Sequence, residues 1–188
     1  MDSRKIAFEL EKQYPEPSLH LESPVLPKVE ACVLKAVTPL RAAFMPPIPR
    51  NLLNTASIEY FERTREARFG MPLRQWEKEH GGDKAWEEAT PALKEAGDML
   101  RANGGPFLLG KTGRVAFSFN LRYLFTPIDG PRWRLTYATV SYADFNLLGT
   151  LQFFQRIDES FFERAIKIEP ALKTLYDASS TWLERDDH

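Results

Sequence analysis

The chain reads as an all-α protein with one foreign block. Three observations carry that reading. Apolar residues recur at helical spacing through most of the 188 residues. Several of those runs begin on a capping residue and stop on Gly or Pro. Only residues 113–139 switch to a period of two.

The most explicit start signal is Val140-Ser141-Tyr142-Ala143-Asp144-Phe145. Ser141 suits the N-cap, Asp144 at N3 can return a carboxylate to it as in a capping box, and Val140 with Phe145 can form a hydrophobic staple. The apolar run of Phe145, Leu147, Leu148, Leu151, Phe153 and Phe154 then extends to about Arg156, as a buried central helix would. Upstream, Ser3 can cap a helix over 3–14 that presents Ile6, Ala7, Leu10 and Tyr14, and Pro15, Pro17 and Pro24 turn 15–24 into an extended linker. A helix from Val25 to Phe44 turns Val29, Val33, Val37 and Leu40 inward, with Pro39 expected to kink it. Pro46, Pro47 and Pro49 exclude regular helix over Met45–Asn51. A helix over 55–69 carries Ile58, Phe61, Arg65 and Phe69 and ends at Gly70, and a short one surrounds Leu73 and Trp76. Asp83 is expected to cap a helix bearing Trp86, Ala89, Leu93, Gly97 and Leu100, which stops at Gly104-Gly105-Pro106. Asp158 can cap a short helix with Phe161, Phe162 and Ile166, and Pro170 fits N1 of a last helix with Leu172, Leu175, Tyr176 and Trp182.

In 113–139, Val115, Phe117, Phe119, Leu121, Tyr123 and Phe125 alternate, Pro127, Asp129, Gly130 and Pro131 turn, and Trp133, Leu135, Tyr137 and Thr139 alternate again. That is a β-hairpin pattern. The block holds four Arg and no Lys, against flanks rich in Lys and Glu, and a lone hairpin is marginal unless it docks on something.

Composition narrows the function. A content of 43% hydrophobic and 27% charged residues is ordinary for a globular domain. A net charge of −1 gives no argument for nucleic acid or an anionic membrane as partner. No apolar run reaches the roughly 20 residues that span a bilayer, and the N-terminus has no signal-peptide pattern. Cys32 is the single cysteine, so a reducing, cytoplasmic setting is the default; beside Val29 and Val33 it reads as a small buried hydrophobe. His20, His80 and His188 have no metal-ligand spacing, so no metal is expected. The row Arg63, Arg65 and Arg68 suits an acidic ligand or a solvated helix face. Tyr60, Phe61, Phe69 and Trp76 could line a hydrophobic binding site and could equally be core.

The helical part resembles the C-terminal half of glutathione S-transferases, in particular the fungal etherase-like (UstS-like) group. The resemblance rests on the capping segment at 140–145, its approach Pro106-Phe107-Leu108-Leu109-Gly110-Lys111, and Asn54 through Glu59-Tyr60-Phe61, Thr64-Arg65-Glu66 and Phe69-Gly70. It implies an all-α glutathione S-transferase C-terminal domain over 23–188, with Ser141 and Asp144 as its structural capping box. Residues 1–22 are then the last helix of a thioredoxin-like domain plus a linker, the remainder of that domain being absent. Asp2 and Ser3 look like the family's glutathione motif: a carboxylate can pair with the γ-glutamyl ammonium, and a hydroxyl at a helix N-terminus suits its carboxylate. In isolation such a pair is also an ordinary helix cap. Glutathione is the implied co-substrate, and a hydrophobic aromatic molecule held by Tyr60, Phe61, Arg65 and Phe69 is the implied substrate, conjugated or cleaved at an ether. A homodimer is left open; nucleic acid and membrane are not expected.

The family's thiol-activating residue has no counterpart here, so no catalytic residue is assigned and the chain is expected to be inactive by itself. Thr112 joins naturally to Val140 in the family pattern, so 113–139 is an insertion: either a retained intron that keeps the reading frame or a genuine hairpin. From a different class, the rival reading is a non-catalytic module that binds a hydrophobic ligand or a protein.

Overall fold

The computed structural model describes residues 3–110 and 140–183, apart from the side chain of Ser3. Among them are ten helices and no strand: α1 (Ser3–Gln13), α2 (Val25–Phe44), α3 (Ile48–Asn51), α4 (Thr55–Phe69), α5 (Leu73–His80), α6 (Asp83–Ala102), α7 (Tyr142–Ile157), α8 (Glu159–Ile168), α9 (Pro170–Ala178) and α10 (Ser180–Leu183). This is the all-α architecture the sequence predicts. The expected hairpin at 113–139 lies outside the described residues.

The core forms where α2 packs along α6 on one side and α7 on the other, with α8 and α9 closing against both. Each long helix supplies one apolar stripe, as its 3.6-residue period requires. From α2 come Leu26, Val29, Cys32, Ala36 and Leu40; from α6, Trp86, Ala89, Leu93, Ala96 and Leu100; from α7, Leu147, Leu151 and Phe154. Val33 and Val37, expected inward, sit half-buried at the edge of that stripe. Phe154 is fully buried, and its ring lies between those of Phe44, Trp86, Phe153 and Phe161 at centroid distances of 6.2–6.4 Å. α2 runs as one helix through Pro39.

Four local expectations are corrected. The proline-rich run does contain a helix, α3, with Pro47 at its N-cap and Pro49 in the first turn. A missing N–H costs nothing there, because first-turn amides have no intrahelical acceptor. The N-cap of α6 is Gly82, at φ 78°, and Asp83 is already inside the helix, its carboxylate bonded to Arg164 at 2.7 Å. The last expected helix breaks at Ser179, whose hydroxyl donates to Leu175 O at 2.8 Å, and Trp182 on α10 stays 47% exposed.

The fourth correction concerns α1. Of the face formed by Ile6, Ala7, Leu10 and Tyr14, Ala7 packs against the core and the rest is open to water: Ile6 is 42% exposed, Leu10 52% and Tyr14 70%. Glu11 anchors the helix instead. Its Oε1 accepts from Ser18 Oγ (2.6 Å), Leu19 N (2.7 Å) and His20 N (3.1 Å), and its Oε2 from Leu21 N (3.3 Å). Burial pushes the Glu11 carboxyl up, but the Ser18 hydroxyl and the three amides outweigh it and hold the group below its ordinary range. The same linker reaches α7, since Tyr142 N donates to Leu19 O at 2.8 Å.

Candidate functional site

Tyr60, Phe61, Arg65 and Phe69 all lie on α4, a helix with no buried residue that touches α3 and α5. Its start and stop are local: Asn54 Oδ1 accepts from Ser57 N at 3.0 Å, and Gly70 ends it at φ 74°. The four residues do not make one wall. Phe61 and Arg65, one turn apart, pair with the guanidinium 4.5 Å from the ring centroid. Arg65 Nη1 also donates to Thr64 Oγ1 at 3.1 Å. Its Nε is buried with no hydrogen-bond partner among the described residues. Phe69 stacks instead on Trp76 of α5, with centroids 3.8 Å apart and planes 13° from parallel. Arg68 lies 6.0 Å from the Phe69 ring. Tyr60 is 63% exposed and stands apart from both pairs.

α4 and α5 therefore present aromatic rings with guanidinium groups beside them. Such a surface suits a flat aromatic molecule carrying a polar or anionic substituent, since ring faces take aromatic area and guanidinium N–H groups take the substituent. One face of Phe69 is already covered by Trp76 and one face of Phe61 by Arg65, so a ligand would meet ring edges and the remaining faces.

Asp2 lies outside the described residues. Ser3 is the first residue of α1, with a side chain that is likewise not described. A cavity of about 750 Å³ opens at the other end of α1, lined by Phe8, Glu11, Lys12, His20, Glu22 and Leu109. A second, of about 580 Å³, lies beside Arg50, Trp86, Asp158 and Arg164. Neither includes the α4 aromatics.

The capping residues are fully engaged in structure. Ser141 Oγ accepts from Asp144 N at 3.3 Å, while Asp144 Oδ2 accepts from Ser141 N at 2.8 Å and from Ser141 Oγ at 2.6 Å. The remaining oxygen, Oδ1, accepts from Leu108 N at 2.8 Å. Ser141 and Asp144 are each 1% exposed. Burial raises the Asp144 carboxyl above its ordinary value, against the pull of those donors. Leu108 is the partner sequence reading missed, because its role depends on a contact 36 residues away that leaves no local signal.

Cys32 offers no reactive thiol. It is 1% exposed, its Sγ–H donates to Ala92 O at 3.0 Å, and burial, with the Glu95 charge adding, pushes it up to about 11. Among the described residues no group of three or more His, Cys, Asp or Glu is placed to hold a metal ion. No described helix is long and apolar enough to cross a membrane.

The helical arrangement is an all-α fold of the kind found in a glutathione S-transferase. Residues 29–119 match the family model described as "Glutathione S-transferase, C-terminal domain", a match that ends inside the 113–139 block. A glutathione S-transferase of Ceriporiopsis subvermispora, solved in complex with glutathione, shares the fold at a TM-score of 0.66 and 22% sequence identity. The likeness covers 97% of this chain and 65% of that one, so this chain spans less than two thirds of the neighbour's length. No curated protein matches the chain.

Proposed function

We infer that the chain is the helical part of a glutathione transferase of the fungal etherase-like group. Its co-substrate is glutathione, and its second substrate is a hydrophobic aromatic molecule that is conjugated or cleaved at an ether. The observation that carries this reading is the shared fold with a glutathione S-transferase over 97% of the chain. The stretch from Asn54 to Gly70 supports the subgroup. Residues 1–22 are assigned to the end of a thioredoxin-like domain and its linker, with Asp2 and Ser3 facing the γ-glutamyl group. Residues 23–188 form the C-terminal domain, with 113–139 inserted.

In this reading α4 holds the aromatic substrate through Phe61, Arg65, Phe69 and the exposed Tyr60. No described residue is assigned to turn glutathione into its thiolate: Cys32 is sealed in the core, and Glu11 and Asp144 are committed to holding loops and caps. The chain by itself binds and does not turn over.

Two measurements on the purified full chain test this. Mixed with glutathione and an activated aryl halide, it is expected to give no rate above the uncatalysed reaction; saturable turnover would overturn the inactivity. Calorimetric titration with a carboxylated aromatic should show binding that weakens in both Phe61→Ala and Arg65→Ala. Unchanged affinity in both variants removes α4 as the site. Affinity that does not respond to glutathione favours a glutathione-independent binding module.

A further inference from the structure

We propose that the Asn103–Gly104 bond is a spontaneous modification site, where deamidation releases the joint that holds α6, the following loop and the N-terminus of α7 together.

The joint is a short chain of contacts. Asn103 is the C-cap of α6, and its Nδ2 donates to Leu108 O. Leu108 N in turn donates to Asp144 Oδ1 at 2.8 Å, so one residue is gripped on its carbonyl by Asn103 and on its amide by the α7 capping acid. The loop between them folds back tightly onto Asn103. Gly104 takes φ 67° and Gly110 φ 85°, and a side chain on Gly110 would meet Asn103 O at 2.9 Å. Leu108 itself is fully buried, so loosening either grip exposes a core residue.

The chemistry follows from the dipeptide. The Gly104 backbone nitrogen can attack Asn103 Cγ, because glycine has no Cβ to shield it. The N–Cγ bond forms, the Cγ–Nδ2 bond breaks, and ammonia leaves with the proton from Gly104 N. The five-membered succinimide is then opened by water. Cleavage at Cγ gives an aspartate, and cleavage at the backbone carbonyl gives an isoaspartate whose main chain runs through Cγ. No oxidant or enzyme is required. The other asparagines, Asn51, Asn54, Asn120 and Asn146, precede Leu, Thr, Leu and Leu, whose side chains hinder the same attack.

The folded joint also restrains the reaction. Attack requires the Asn103 side chain to leave Leu108 O and turn towards Gly104 N, which itself donates to Arg101 O at 3.0 Å. Once reacted, the site cannot re-form the joint. A carboxylate replaces the amide donor and faces the Leu108 carbonyl, acceptor against acceptor, with a new negative charge. The isoaspartate also adds an atom to the tight turn before Gly104.

The test is to age the full chain in mildly alkaline buffer, separate the more acidic fraction by ion exchange, and map its peptides by mass spectrometry. Position 103 should be the first modified and should react several-fold faster in denaturant than in the folded chain. The acidic fraction should melt below the parent, and its Leu108 and Ser141 amides should exchange hydrogen faster. Asn103→Asp should reproduce both changes, and Asn103→Gln, which cyclises far more slowly, should abolish the acidic fraction. Modification elsewhere first, equal rates folded and unfolded, or an acidic fraction that melts and exchanges like the parent would each overturn the proposal. If Asn103→Asp does not fold, the aged fraction alone decides.

Discussion

Gly97→Ala sets two opposed effects against each other, and the structure says which wins. Gly97 sits inside α6, where alanine is favoured over glycine by about 1 kcal/mol. Propensity alone therefore makes the substitution stabilising. At this position, however, an added Cβ would lie 2.1 Å from Glu169 Cδ, 2.3 Å from Oε2 and 2.4 Å from Cγ. Those atoms are not a loose side-chain end. Glu169 is 3% exposed, its Oε1 accepts from Ala171 N at 3.0 Å to cap α9, and both oxygens take hydrogen bonds from Arg101. If the carboxylate stays, the overlap costs about 1–3 kcal/mol of packing strain. If it leaves, α9 loses a cap worth about 1 kcal/mol, and the Arg101 bonds go with it.

Because Glu169 is held by both the α9 cap and Arg101, the upper part of that range applies, and about 2–3 kcal/mol of cost against about 1 kcal/mol of gain should destabilise Gly97→Ala by about 1–2 kcal/mol. For a protein of this size that lowers Tm by about 2–8 °C. Calorimetry on four chains is the assay: wild type, Gly97→Ala, Glu169→Ala and the double variant. The three atoms nearest the added Cβ all belong to Glu169. In the Glu169→Ala background the same glycine substitution should therefore stabilise, by about 1 kcal/mol. A rise in Tm for Gly97→Ala alone, or strictly additive effects in the cycle, would refute the claim that Glu169 is seated against the glycine.

Further perturbations probe the remaining joints. Asp144→Ala removes the acceptor for the Leu108 and Ser141 amides and should cost about 2–4 kcal/mol in denaturant unfolding, more than Ser141→Ala, which removes the two bonds of the Ser141 hydroxyl but leaves both amides their acceptor. Phe154→Ala empties the centre of the aromatic cluster and should cost about 3–5 kcal/mol by the same measurement. Burial pushes Glu169 up, but the Arg101 hydrogen bonds, the Ala171 amide and the Arg101 charge outweigh it, so its carboxyl titrates below the usual 4.5. A lowered acid contributes stability above its unfolded pKa and loses it as pH falls through the folded one. The deficit of Glu169→Gln should therefore be present at neutral pH and shrink as pH drops below 4.5; a deficit independent of pH would exclude the ion pair as its origin. Deleting residues 113–139 and joining Thr112 to Val140 should leave the helical content of the folded chain intact. Loss of cooperative unfolding in that deletion would show that the segment is not an addition to the fold.

What could be read from sequence was what is decided within one helical turn. The α7 and α8 caps at Ser141 and Asp158 were legible because side-chain and amide partners lie two or three residues apart. α3 was hidden because three prolines in seven residues look like a breaker, and only their placement at the N-cap and first turn makes them compatible with a helix. α1 misled in the opposite sense: its pattern is amphipathic, yet a pattern cannot say whether anything covers the apolar face. The α4 surface was half legible. Spacing of four places Phe61 beside Arg65, whereas the stack of Phe69 on Trp76 depends on how the chain turns through Gly70 and Pro72.

Glu11, Asp144 and Glu169 show how the same group serves local and long-range order. Asp144 and Glu169 accept backbone amides near their own positions, at Ser141 and Ala171, and each of the three ties down a second element: Glu11 the linker at 19–21, Asp144 the loop at Leu108, Glu169 the end of α6 at Arg101. Their titration sorts by what opposes burial. Glu11 lies at the surface with four donors, and Glu169 faces a guanidinium; in both, the donors win and the carboxylate is held low. Asp144 has only neutral donors and is sealed at 1% exposure, so desolvation wins and its carboxyl is raised. The fold thus buries a carboxyl where α7 must start, and removing any one of its donors, the Ser141 hydroxyl above all, leaves a buried charge with less to hold it.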